Sequence, residues 1–103
     1  MGRKSKSGSP REVVTLTDIP NVGPATASDL RLLGIDEPGQ LKGLDPFWLY
    51  DELNRRTGRR HDPCVIDVFI AAVRFIEGES ARPWWEYTAE RKTTLAIRKT
   101  RGT

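Results

Sequence analysis

A single cysteine, Cys64, stands among the 103 residues of this chain, so an internal disulfide is excluded and a cysteine-rich zinc site cannot form. There is also only one histidine, His61, which leaves no His pair for a metal centre. Long apolar runs are missing: the longest, CVIDVFIAAV, is broken by Asp67 and is too short to span a bilayer. The opening twelve residues, MGRKSKSGSPRE, hold nothing like the apolar segment of a secretory leader. A cytoplasmic, reducing location without membrane attachment is the expectation. Alternation of period two does not persist anywhere in the chain, which argues against a sheet.

Positive charge is present, but not where a folded body would use it. The net charge is +3 and the pI about 9.4. Residues 1–12 carry +3 and residues 91–103 carry +5, whereas residues 13–90 hold eight basic and thirteen acidic side chains, a net of −5. Grip on a polyanion by bulk electrostatics therefore falls to the two ends, or to a local patch.

What the chain does have is a series of helix signals. Residues 1–12, rich in Ser, Gly and Lys, have nothing to bury and are expected to be a disordered basic arm. Val13, Val14, Leu16 and Ile19 predict a first helix of one to two turns, stopped by Pro20. Pro24 opens a second, with Ala25, Ala27, Leu30, Leu32 and Leu33 as its apolar residues and Gly34 as its end. One short turn around Pro38 to Leu41 connects to Asp45-Pro46, a start signal for PFWLYDELNRRT before Gly58. Asp62-Pro63 repeats that signal ahead of CVIDVFIAAVRFI, apolar nearly all round, which predicts a central buried helix with Asp67, Arg74 and Glu77 along one narrow strip. WWEYTAERK predicts a short covering helix in which Trp84 and Trp85 close the core, and residues 93–103 predict a flexible basic tail. The class is all-α, a compact bundle of about five short helices over residues 13–92.

The stretch LTDIPNVGPATASDL, residues 16–30, has the chemistry of an anion-binding turn. Val22 pins the turn inward, Gly23 permits close approach and unusual backbone angles, and Ala27 is small enough for helices to cross tightly. The N–H groups at the start of the following helix then point outward together, a site that favours phosphate.

This arrangement resembles the helix-hairpin-helix family of DNA-binding motifs, on whose pattern Leu16, Ile19, Val22, Gly23, Ala27 and Leu30 fall. Asn21 departs from it, standing where Gly is usual, and Asn is the next residue most able to adopt a left-handed backbone. With LYDEL, DPCVIDVFIAAVRF and WWEYTAERK included, residues 14–92 resemble the small bacterial helix-hairpin-helix proteins of the pathogenicity-locus and mitomycin-resistance-like kind. The resemblance implies a SAM-like helical domain and phosphate contact through Asn21, Val22, Gly23, Pro24, Ala25 and Thr26. It implies no cofactor, although hairpin carbonyls in such motifs can hold a monovalent cation.

Other candidates carry two readings each. Arg55, Arg56, Arg59 and Arg60 either extend a phosphate-contacting surface or form a solvated helix end. Cys64 with His61 has the spacing of a thiolate and its base, but Cys64 equally suits plain packing. Trp48, Trp84 and Trp85 offer stacking surfaces or core. No carboxylate pair has metal-nuclease spacing, so catalysis has no visible carrier. The functional expectation is weak nucleic-acid binding, DNA foremost, without base specificity and in an accessory role. The alternative is a protein-protein interaction module of the same fold.

Overall fold

The computed structural model describes residues 9–101, with side chains described as far as Arg98. Among the described residues there are four α-helices, α1 (Pro24–Leu32), α2 (Pro46–Thr57), α3 (Cys64–Ile76) and α4 (Thr88–Arg101), and no strand. Short 3₁₀ turns at Pro10–Glu12, Leu16–Asp18, Pro38–Leu41 and Trp84–Tyr87 join them.

The helix starts follow local chemistry. Asp45 caps α2 by accepting the Phe47 N–H at 2.8 Å, and Asp62 accepts the Cys64 N–H at 2.9 Å at the start of α3. Each Asp precedes a proline whose missing N–H costs nothing in a first turn. α2 ends at Gly58, whose φ of 73° lets its N–H return to the Asn54 carbonyl at 2.9 Å. α3 lies at the centre, burying Ile66, Phe69, Ile70, Ala72, Val73 and Phe75 against α2, with Leu49 and Leu53, and against the turns that carry Leu41 and Tyr87; Leu16, Ile19, Val22, Ala27 and Leu30 belong to the same core.

Four expectations change. The first predicted helix is only the 3₁₀ turn Leu16–Asp18, which leaves four α-helices in place of five. Its Asp18 carboxylate turns back to accept the Val14 and Thr15 amides at 3.0 and 2.9 Å, and Pro20 holds Ile19 extended at φ −71°, ψ 131°. At the other end, the boundary expected after residue 92 falls inside α4, which continues to Arg101 because Leu95 packs on the core and Arg98 reaches α2. There the Arg98 guanidinium pairs with Asp51 at 3.1 Å and lies over the Phe47 ring at 5.2 Å. Of the expected basic arm, residues 10–12 form a 3₁₀ turn capped by Ser9, and residues 1–8 lie outside the described residues. Trp85 is exposed and only Trp84 is partly buried, so the aromatic pair does not close the core; Tyr87 does.

The predicted polar strip on α3 is also broken up, because Asp67 is fully buried. It accepts the Thr88 hydroxyl at 2.6 Å on Oδ2 and the Arg91 Nε–H at 2.9 Å on Oδ1, so one carboxylate joins α3 to the first turn of α4. Arg91 is held still further above its usual range by this bond. A second long-range tie runs through Asn21, which sits at φ 74°. Its Nδ2 donates to the Arg82 carbonyl at 2.7 Å and its Oδ1 accepts the Trp84 N–H at 3.3 Å, fixing residues 82–84 against the turn before α1.

Both ties are open to test by chemical denaturation. Arg91→Met leaves the Asp67 charge buried without its cation and is expected to cost about 3–5 kcal/mol, a large share of a small domain's stability of about 5–15 kcal/mol. The double variant Asp67→Leu/Arg91→Met is expected to lose less than this single one, since no uncompensated charge remains. Asn21→Gly keeps the left-handed backbone but loses both side-chain bonds, and is expected to destabilise by about 1 kcal/mol. Asn21→Ala adds backbone strain of about 1–2 kcal/mol to that loss, and thermal melts should rank the two variants in that order.

Candidate functional site

The turn at residues 19–23 is built by three local events. The Val22 N–H closes onto the Ile19 carbonyl at 3.0 Å, Asn21 adopts the left-handed conformation, and Val22 points into the core with no exposed surface. Gly23 then stands as the N-cap of α1 at φ −96°, ψ −174°, Pro24 takes the first helical position, and the first helical bond runs from the Ala27 N–H to the Gly23 carbonyl at 2.9 Å. The N–H groups of Gly23, Ala25 and Thr26 consequently find no acceptor among the described residues. No side chain caps this helix start and no acidic residue lies in its first turn. α2 and α3, by contrast, each begin on an aspartate that accepts one of their free amides.

Gly23 corrects one sequence argument. Its backbone is ordinary extended chain, and a Cβ built there would meet nothing within 4 Å. Neither strain nor packing inside the domain demands glycine, and the residue in the unusual conformation is Asn21. Open space surrounds the position a Gly23 Cβ would take, beside the N–H groups of Gly23, Ala25 and Thr26 that have no acceptor among the described residues. Ala27, fully buried, keeps the packing role foreseen for it.

The arginine cluster is not brought to this turn. Arg56 donates to the Leu32 carbonyl at 3.0 Å, at the opposite end of α1, which is about 12 Å from the Gly23 end at 1.5 Å rise per residue. Arg55 and Arg56 both bind Glu52, the latter at 3.0 Å, and these two guanidiniums hold the Glu52 carboxyl at about 2, far below the usual carboxylate range. Arg59 and Arg60 remain exposed with no ion pair among the described residues. They line an open cleft of ≈ 450 Å³ with Tyr50, Asp51, Asn54 and Gly58. Of the ten candidates, six form the turn, two share the Glu52 carboxylate, and two face a separate cleft.

Nucleophile and metal readings find no support in the geometry. Burial pushes the Cys64 thiol up, and the neighbouring Asp62 adds to this, so the thiolate is disfavoured. The His61 Nδ1 lies 2.7 Å from the Asn54 Oδ1, an oxygen that only accepts, so this nitrogen carries the proton and is spent there. No cluster of three His, Cys, Asp or Glu suited to a metal occurs among the described residues. No helix among them is long and apolar enough to cross a membrane.

One functional candidate was assigned to the core from the sequence and belongs elsewhere. Through Asn21, the Trp84 backbone is tied to the α1 turn, and the next residue, Trp85, is 61% exposed. The two indoles meet edge to face, with centroids 5.7 Å apart and planes at 83°. The signal was the spacing. In a 3₁₀ turn, residues three apart share a side, so Trp84 and Tyr87 face inward together and Trp85 cannot join them.

Comparison with known proteins places the chain. Mitomycin resistance protein McrB of Streptomyces lavendulae is 46% identical over 81 residues, which cover 79% of this chain and 77% of that protein. No solved structure gives a significant match. Residues 9–93, which contain the α1 turn, the buried Asp67 and the tryptophan pair, match the family described as Pathogenicity locus. The chain therefore belongs to the Cdd1 pathogenicity-locus family.

Proposed function

We propose that this protein binds nucleic acid weakly and without base specificity, with the Gly23, Ala25 and Thr26 amides holding phosphate oxygens in an accessory role. In this reading residues 16–32 act as a helix-hairpin-helix unit whose first helix is reduced to a 3₁₀ turn. The observation that carries it is the trio of uncommitted N–H donors at a helix start free of acids, behind a glycine that the fold itself does not require. Helix N-termini of this kind attract anions through both the amides and the partial positive charge of the helix. Asn21 and Val22 set the turn's shape and Pro24 starts the helix without consuming an acceptor. The contact runs through N–H groups and requires no cation.

The basic residues at both ends of the sequence add affinity through counterion release, and duplex DNA is the reference partner for that term. The resistance named for the Streptomyces relative describes an outcome and not a reaction, and a nucleic-acid-binding accessory protein fits it without catalysis. A second reading, docking on a protein, is favoured by the acidic residues 13–90 and by the exposed Leu32 and Trp48.

Gly23→Asp separates the two. The aspartate copies the Asp45-Pro46 and Asp62-Pro63 starts of α2 and α3, has room for its side chain, and fills the amides that phosphate would take. Thermal stability is expected to rise by a few tenths of a kcal/mol, about 0.5, from the added cap. Binding to a short DNA at low salt is expected to fall about tenfold or more, with the log-log salt slope reduced by roughly 1 to 2. Unchanged affinity in this more stable variant would leave the turn as a turn and favour the protein partner.

A further inference from the structure

We infer that Trp85 is a stacking platform for an unpaired base, so that the nucleic acid bound at the α1 turn is single-stranded. The inference rests on the proposed phosphate contact and adds the class of strand. The Trp85 indole is 61% exposed, more than Trp48 at 50%. Its edge-to-face packing on Trp84, with ring planes at 83°, anchors the ring through its neighbour without burying it. The guanidiniums of Arg74 and Arg82 lie over the Tyr87 ring, at 5.8 and 4.9 Å, and are engaged with Glu79, so both are committed at Tyr87.

Position and charge favour a strand over a duplex. Asn21 holds the Trp84 amide at 3.3 Å from its own side chain, and Gly23 follows Asn21 by two residues, which span at most about 7.6 Å. Trp84, the neighbour of Trp85, and the three free amides thus belong to one corner of the domain, within the span of a short oligonucleotide. That corner belongs to a folded body, residues 9–101, whose fourteen basic and fourteen acidic side chains leave no net charge, and in which Arg55, Arg56, Arg74 and Arg82 are engaged in ion pairs. Duplex DNA presents about one negative charge per 1.7 Å of axis and draws its affinity from net positive surface, which such a body does not supply. Stacking needs no net charge and accepts any base, and it suits a domain without net charge that binds without sequence preference.

The test uses the full chain with a labelled oligo(dT) strand and a duplex of the same length, over a salt series, with circular dichroism and melting to verify folding. Wild type is expected to prefer the strand. Trp85→Ala is expected to lose about tenfold in strand affinity, in line with the value of one stacked base, with salt slope and duplex affinity unchanged. Trp85→Phe should recover most of that loss. Equal wild-type affinity for strand and duplex with Trp85→Ala silent overturns the inference, and the phosphate reading survives if Gly23→Asp still reduces the slope. Binding to neither nucleic acid overturns both, and loss of self-association in Trp85→Ala by sedimentation would then assign the ring to a protein contact.

Discussion

The buried carboxylate of Asp67 is the constraint on which the arrangement of this protein turns. A charge with no exposed surface is tolerated only when its oxygens are filled, and here Thr88 and Arg91 fill them from the start of α4. That requirement fixes α4 on α3. Because the Trp84–Tyr87 turn runs directly into α4, it also fixes where the tryptophans sit. Trp84 in turn meets Asn21, and Asn21 shapes the turn from which α1 emerges. A charge pair in the core is thereby linked, through the two hydrogen bonds of the Asn21 side chain to backbone, to three free amides on the surface. Breaking it would act on the surface corner as well as on stability.

The surface is electrostatically quiet for a protein of high pI. Glu52 absorbs Arg55 and Arg56, Glu79 and Glu90 absorb Arg74, Glu79 and Glu86 absorb Arg82, and Asp51 absorbs Arg98. These pairs are at least partly exposed and each contributes little to stability, yet together they engage five guanidiniums that a duplex binder would use. Under the proposal, recognition by the folded domain rests on short-range contacts: amide to phosphate, and ring to base. The Asn21 tie joins the turn before the uncapped start of α1 to Trp84, the residue that precedes the exposed Trp85 indole.

Much of the fold was legible because its signals are local. Asp-Pro before α2 and α3, Gly58 after α2, and the apolar run of α3 each specify their element within a few residues, and each occurs as read. The misreadings all involve partners far along the chain. Nothing near Asp67 announces Arg91, nothing in residues 93–98 announces Asp51 and Phe47, and Asn21 reads as a substitute for glycine until its side chain is seen bridging to Arg82 and Trp84. Of the candidate site, sequence spacing located the turn and its free amides; Arg55 and Arg56 are separated from it by α1, and the exposure of Trp85 follows from a 3₁₀ turn where a short covering helix is predicted.

The central claim is that phosphate meets the backbone at the start of α1, and amide-resolved NMR reads that contact directly. In a titration of the full chain with a short oligo(dT), the amide resonances of Gly23, Ala25 and Thr26 are predicted to move most among the backbone signals of the folded domain, with the Trp85 indole N–H shifting in parallel. Shifts confined to the basic ends of the sequence, or centred on Arg59 and Arg60 with the three amides unmoved, would contradict it.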